Sequence, residues 1–315
     1  MRRLILAVVV AGLALAVAAC GSSNKSSSSA SAPATVPGAA KPGKGKPPVT
    51  IGDKNFTEQF ILGQLYAQAL KAKGFTVTLK PNIGSSELID KSLTSGQIDM
   101  YPEYTGVILA ELAHNTNRLP DDQAAYEAAK KWEEGRGFTM LDKTPFFDTD
   151  ALAVLPAYAQ KNSLKTVADL AKLPKGSVTV GAPPEFATRF AGLKGLKSDY
   201  GLELKLKALT IGLQYKALDT GKVDTADVFT TDGQLQGNKY VVLTDPKNVF
   251  GFQNVAPVVS QKVLNAEGPA FAETLNAVSS KLTDEAMRKM NAAVDLDKQD
   301  PAAVAKRFLQ ANSLA

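Results

Sequence analysis

The chain holds one cysteine and one histidine in 315 residues, and each shortage removes a class of chemistry. With Cys20 alone, no intramolecular disulfide is possible, whatever the compartment. His114 stands in Ala113-His114-Asn115 without a second histidine, so the common His-based metal clusters are excluded and no metal site is expected. Thr220-Gly221-Lys222-Val223 lacks the glycines and spacing of a phosphate loop, and no cofactor is expected. The body also lacks a basic excess. Setting aside Arg2, Arg3, Lys25, Lys41, Lys44 and Lys46 leaves 30 basic residues against 31 acidic ones, although the whole chain carries +5. A nucleic-acid-binding domain would carry its positive charge on the folded part, so no nucleic-acid partner is expected.

The N-terminus reads as a targeting segment. Arg2 and Arg3 precede an apolar run, Leu4 to Val17, that is too short for a comfortable membrane span. Val17-Ala18-Ala19-Cys20 resembles the bacterial lipoprotein signal, in which residues 1–19 are removed and Cys20 becomes an acylated N-terminus. Acylation would also rule out a Cys–His nucleophile. Residues 20–48 are rich in Ser, Ala, Gly, Pro and Lys, with almost nothing to bury, and are expected to be a disordered tether. The expected location is the extracytoplasmic face of the cell membrane.

From residue 49 the grammar is α/β. Short apolar strands alternate with helices such as the one opened by Thr57 and stopped by Gly74, and open, mostly parallel sheets follow. Two segments echo each other about 125 residues apart. Gly96-Gln97-Ile98-Asp99 leads to Tyr104-Thr105, and Gly221-Lys222-Val223-Asp224 leads to Phe229-Thr230. Val49-Thr50-Ile51-Gly52 and Val178-Thr179-Val180-Gly181 form a second pair, with Phe56 and Phe186 downstream. Such doubling predicts two similar lobes facing each other across a cleft. Phe146–Asp150 and Phe250–Asn254 read as the crossings. Lobe I is then 49–149 plus 251–315, and lobe II is 150–250.

Gly52-Asp53-Lys54-Asn55-Phe56-Thr57-Glu58-Gln59 and Tyr101-Pro102-Glu103-Tyr104-Thr105-Gly106 resemble the substrate-binding proteins of quaternary-amine ABC importers, the receptors for glycine betaine, choline, carnitine and proline betaine. Pro184-Glu185-Phe186-Ala187-Thr188-Arg189, Phe229-Thr230-Thr231-Asp232 and Phe252-Gln253-Asn254-Val255-Ala256-Pro257 continue the match across 49–315. The resemblance implies a type II periplasmic-binding-protein-like fold, a monomer that delivers a small solute to an ABC permease, and no catalytic residue. Position by position, it puts Lys54 and Arg189 on the ligand's carboxylate and Tyr104 in an aromatic cage. Phe229 replaces a second cage tyrosine, Asp150 a third and Gln253 a fourth, while Val107 replaces a threonine. Ser85, Thr105 and Asn254 complete the expected ligand set.

A quaternary ammonium has no N–H, so aromatic faces recognise it, whereas arginine and lysine suit a carboxylate. With two rings in place of four and Asp150 added, the set fits a cation bearing N–H or O–H donors at least as well as a bare trimethylammonium. Ergothioneine or another polar metabolite is therefore an alternative ligand, and a hydrolase using Asp150 and Glu103 a remoter one. Plainer roles stay open as well. Arg189 could pair with Glu185 or Asp150, Ser85 and Ser86 could cap a helix near Glu87, and Tyr104 could be a core residue.

Overall fold

A computed structural model describes residues 41–315; the signal segment, Cys20 and the first part of the tether lie outside the described residues. Ten strands form two five-stranded sheets. The first holds β1 (Val49–Gly52), β2 (Val77–Lys80), β3 (Met100–Tyr104), β4 (Phe138–Met140) and β10 (Val255–Ser260), in the order β2-β1-β3-β10-β4. The second holds β5 (Asp150–Val154), β6 (Thr179–Ala182), β7 (Lys205–Ala208), β8 (Thr225–Phe229) and β9 (Val241–Leu243), in the order β7-β6-β8-β5-β9. The two orders are equivalent. Each sheet has three adjacent parallel strands, then one strand antiparallel to both of its neighbours, β10 or β5.

The sequence echo has a physical cause. Asp99 Oδ2 accepts from the Thr50 backbone N–H at 2.7 Å, and Asp224 Oδ2 accepts from the Thr179 N–H at 2.8 Å. Each aspartate thereby clamps the strand that follows it, β3 or β8, to its parallel neighbour, β1 or β6. Gly52, at the end of β1, and Gly181, one residue before the end of β6, are glycines because a Cβ there would lie 2.7 Å from Ile98 and 2.9 Å from Leu209. These clamps fall before the strands, so β3 and β8 each begin two residues later than the apolar runs at Ile98 and Val223 predict.

Helix α1 (Thr57–Ala72) turns Ile61, Leu62, Leu65, Tyr66 and Leu70 into the larger core, against the helices Pro269–Ser279, Asp284–Asp295 and Pro301–Ala311. Gly74, at φ 87°, ends that run. The tether expectation is corrected for its last residues. Gly43 N–H donates to Lys73 O at 3.0 Å and Lys46 Nζ donates to Ala266 O at 2.8 Å, so residues 41–48 pack on lobe I. The two crossings lie side by side, with Phe147 bridged to Asn254 and Asp148 N–H donating to Gln253 O at 3.1 Å. The sequence also misses β4 and the helices Pro156–Asn162 and Gln261–Glu267, which are short and lack a full apolar period.

Candidate functional site

Three aromatic rings stand in a row where strands end. Phe56 is the residue before α1, in extended backbone; Tyr104 ends β3 and Phe229 ends β8. The Phe56 ring lies 5.4 Å from Phe229, nearly parallel at 19°, and 6.3 Å from Tyr104. The Tyr104 hydroxyl donates to Glu58 Oε1 at 2.8 Å, which fixes its ring. Lys54 Nζ lies 4.3 Å from the Tyr104 ring centroid and donates to Glu103 Oε1 at 2.5 Å and Ser86 Oγ at 3.0 Å. Lys54 and Glu103 are both buried. Burial lowers the Lys54 pKa, and the charge of Glu103 opposes that fall.

Arg189 comes from the opposite lobe. Its Nε and Nη2 donate to the two carboxylate oxygens of Glu87 at 3.1 and 3.0 Å, a fork-to-fork pair across the cleft. Burial works against the Glu87 carboxylate, but Arg189 outweighs it and brings the pKa down to about 2. The same pairing raises Arg189 against the pull of burial. Ser85 donates its hydroxyl to Glu87 Oε2 at 2.5 Å, so at the N-cap of α2 (Ser86–Thr94) it serves a side chain and makes no side-chain cap bond. The expectation that Arg189 pairs with Glu185 or Asp150 is replaced by this contact. Asp150 instead lies opposite Phe229 in the β5–β8 ladder, diagonal to Asp227. Both are raised, first by burial; their proximity adds to the rise at Asp227, while Arg189 opposes it at Asp150. The two carboxyls share a hydrogen bond, and both line the cleft.

Lys54, Ser85, Tyr104 and Asp150 line one cleft with Arg189 and Phe229, and Gln253 and Val107 reach its edge. Two expected ligand residues do not. Thr105 donates to Phe252 O at 2.9 Å, and Asn254 donates to Thr144 O and Phe146 O at 3.0 and 3.2 Å. Both serve the crossings, where the backbone leaves a sheet and its carbonyls need side-chain partners. Gln253 does similar work, accepting from Val107 N–H and donating to Phe250 O. Phe56, Glu58, Glu87, Glu103 and Asp227 were missed. Alternation along β8 puts Asp227 on the face of Phe229, a signal that was available.

Further contacts close the lobes on each other. Arg118 pairs with Asp199, Ala191 N–H donates to Glu111 Oε1 at 3.3 Å, and Arg288 Nε donates to Thr230 O at 3.1 Å. Among the described residues, no helix is long and apolar enough to cross a membrane, and no cluster of three His, Cys, Asp or Glu is disposed to hold a metal ion.

Comparisons with known proteins agree with this geometry. Over 275 residues, the chain is 36% identical to a glycine-betaine-binding protein of Pseudomonas aeruginosa, covering 84% of this chain and 88% of that one. It is 31% identical over 267 residues to an ergothioneine transport permease/ergothioneine binding protein of Helicobacter pylori, covering 84% of this chain and 47% of the other. A crystal structure of a glycine betaine/carnitine/choline ABC transporter protein superposes with a TM-score of 0.68 at 27% identity, over 84% of this chain and 99% of that one. The fold is that of type II binding proteins, two α/β lobes joined by two crossings. Residues 47–311 match the substrate-binding domain of ABC-type glycine betaine transport systems, and the chain belongs to that family.

Proposed function

We propose that the protein is an extracytoplasmic receptor that captures a small cationic or zwitterionic solute between its lobes and hands it to an ABC permease. One observation carries this reading: an aromatic row, two cationic side chains and a carboxyl pair converge on a single cleft built from both lobes. The rings Tyr104, Phe56 and Phe229 would hold the cationic end. Arg189 would take a carboxylate by exchanging Glu87 for the ligand. Lys54, already paired with Glu103, would supply a fixed dipole more than a free charge. Open and closed arrangements would exchange about the crossings, with lobe I as 49–149 plus 251–315 and lobe II as 150–250; residues 41–48 would join lobe I. Ligand favours closure because only there do both lobes touch it. Cys20 would carry the lipid anchor, and a monomer suffices for this mechanism.

Asp227 favours a second reading of the ligand. A buried carboxyl pair, Asp227 with Asp150, suits a solute with an N–H to donate, as the imidazole ring of ergothioneine would. Calorimetry with glycine betaine, choline, carnitine, proline betaine and ergothioneine separates the two. Heat with glycine betaine and proline betaine, which carry no N–H or O–H, and none with ergothioneine refutes the donor requirement; no heat with any of the five refutes the ligand class. The hydrolase alternative is weakened because Lys54 and the Tyr104 N–H occupy Glu103 Oε1. Mass spectrometry of bound solute after incubation is expected to return it unchanged.

A further inference from the structure

Behind the aromatic row lies a second chamber, separated from the first by Phe56 and Phe229, with about 170 Å³ of free space. Its walls come from both lobes. Lobe I contributes Glu58, Asn291 and Asp295; lobe II contributes Gln214, Asp232 and Gln234; Asp148 reaches it from the crossing. Four carboxyl groups therefore face one space, and no lysine, arginine or histidine lines it. The amides add to this one-sidedness. Asn291 Nδ2 is committed to Glu58 Oε2 and Thr231 O, both at 3.0 Å, which orients Asn291 Oδ1 as a free acceptor. Gln214 Oε1 is likewise buried and unpartnered, and so is Gln234 Oε1. Asn291 and Gln214 are each only 2% exposed. No cationic side chain lines the chamber, and burial raises Glu58, Asp148 and Asp232, the cost of holding negative charge there that a bound cation would remove.

We infer that this chamber is a site for a small monovalent cation, an alkali ion or ammonium, held with part of its water shell between the two lobes. The lack of any three carboxylates close enough to chelate argues against a tightly bound divalent metal. The volume holds an ion with a few waters, each needing roughly 30 Å³. The partnered oxygens nearby remain available, because a carboxylate accepts at about four positions and most here use one or two. A cation in this place touches Asn291 and Asp295 on one side and Gln214 and Asp232 on the other, so it favours the closed arrangement. By linkage, cation and solute then strengthen each other's binding.

Thermal unfolding of the solute-free protein in potassium, sodium or ammonium chloride, against N-methyl-D-glucamine chloride at equal concentration, tests the site. At about ten times its dissociation constant, one small cation is expected to raise the midpoint by about 3 °C over the bulky control. The order among the three identifies the ion. The gain is expected to vanish in the Asp232→Asn/Asp295→Asn double variant; a gain kept there, or none with any of the three, overturns the site. Should that variant fail to fold, rubidium chloride soaked into wild-type crystals decides. Anomalous density beside Asn291 Oδ1 and Asp232 supports the proposal, and a chamber without it refutes it. The effect on solute affinity, a rise of about fivefold, rests on the receptor reading. A protein that shows the cation gain but binds no solute would keep the site and lose the receptor.

Discussion

At the scale of residues, the site is a set of charges that have already found partners. Tyr104 and Phe229 are legible because a motif and an internal echo both mark them, and Lys54 because a motif does. Their partners are not: Glu103 lies 49 residues from Lys54 and Glu87 lies 102 from Arg189, so only the folded lobes bring them together. Phe56→Ala and Phe229→Ala are each expected to weaken solute binding by about tenfold in calorimetry, from a cation–ring attraction of roughly 0.5–2 kcal/mol. Unchanged affinity in both would remove the aromatic row from recognition. Glu58 accepts from Tyr104, Thr231 and Asn291 at once, the last two at 2.5 and 3.0 Å. Glu58→Ala leaves these donors buried and is expected to cost about 3 kcal/mol in urea unfolding, whereas Glu58→Gln keeps an acceptor and costs about 1 kcal/mol. Equal losses would mean that the carboxyl is only packing.

At the scale of elements, every strand except β4 is legible to within about three residues at either end, since a buried four- or five-residue run bounded by glycine and aspartate leaves little choice. The polar residues Gln253 and Asn254 of the second crossing satisfy backbone groups, where the sequence suggests ligand contacts. Periodicity cannot distinguish an amide that binds a solute from one that satisfies a carbonyl leaving a sheet. Gly233 shows how closely elements meet: a Cβ there would lie 2.5 Å from the Ala292 Cα on the helix Asp284–Asp295. Backbone cannot yield as a side chain does. Gly233→Ala is expected to push the Thr231–Gly233 loop off that helix and favour the open arrangement. Small-angle scattering would then give a larger radius of gyration with saturating solute than wild type does. An unchanged radius would mean that this contact plays no part in closure.

The molecule as a whole buries more acid than it neutralises. Burial raises Asp53, Glu133 and Asp232 each to about 7, against partial relief from the Asn82 N–H, Arg136 and Tyr215 respectively. In each case the folded pKa exceeds the unfolded one. The stabilising proton is fully held below the ordinary carboxylate range and is lost as pH climbs through about 7. Glu87 runs the other way: its contribution is present above that range and lost as pH falls through about 2. The thermal midpoint is therefore expected to fall between pH 5 and pH 8. Asp53→Asn, which removes one of the three carboxyls, is expected to flatten that fall; an identical slope would mean that Asp53 is ionised at neutral pH in the fold.

The short turn at Lys41–Lys44 has a mechanical consequence. It is fastened near Lys73 and Phe75, and the chain then enters β1 at Val49, the end of the sheet away from the rings. Any force transmitted from upstream is therefore received by the first sheet alone, on the side remote from the solute. Among the described residues lobe II has no such attachment, so on the receptor reading proposed above it would be the part that swings when the cargo is released.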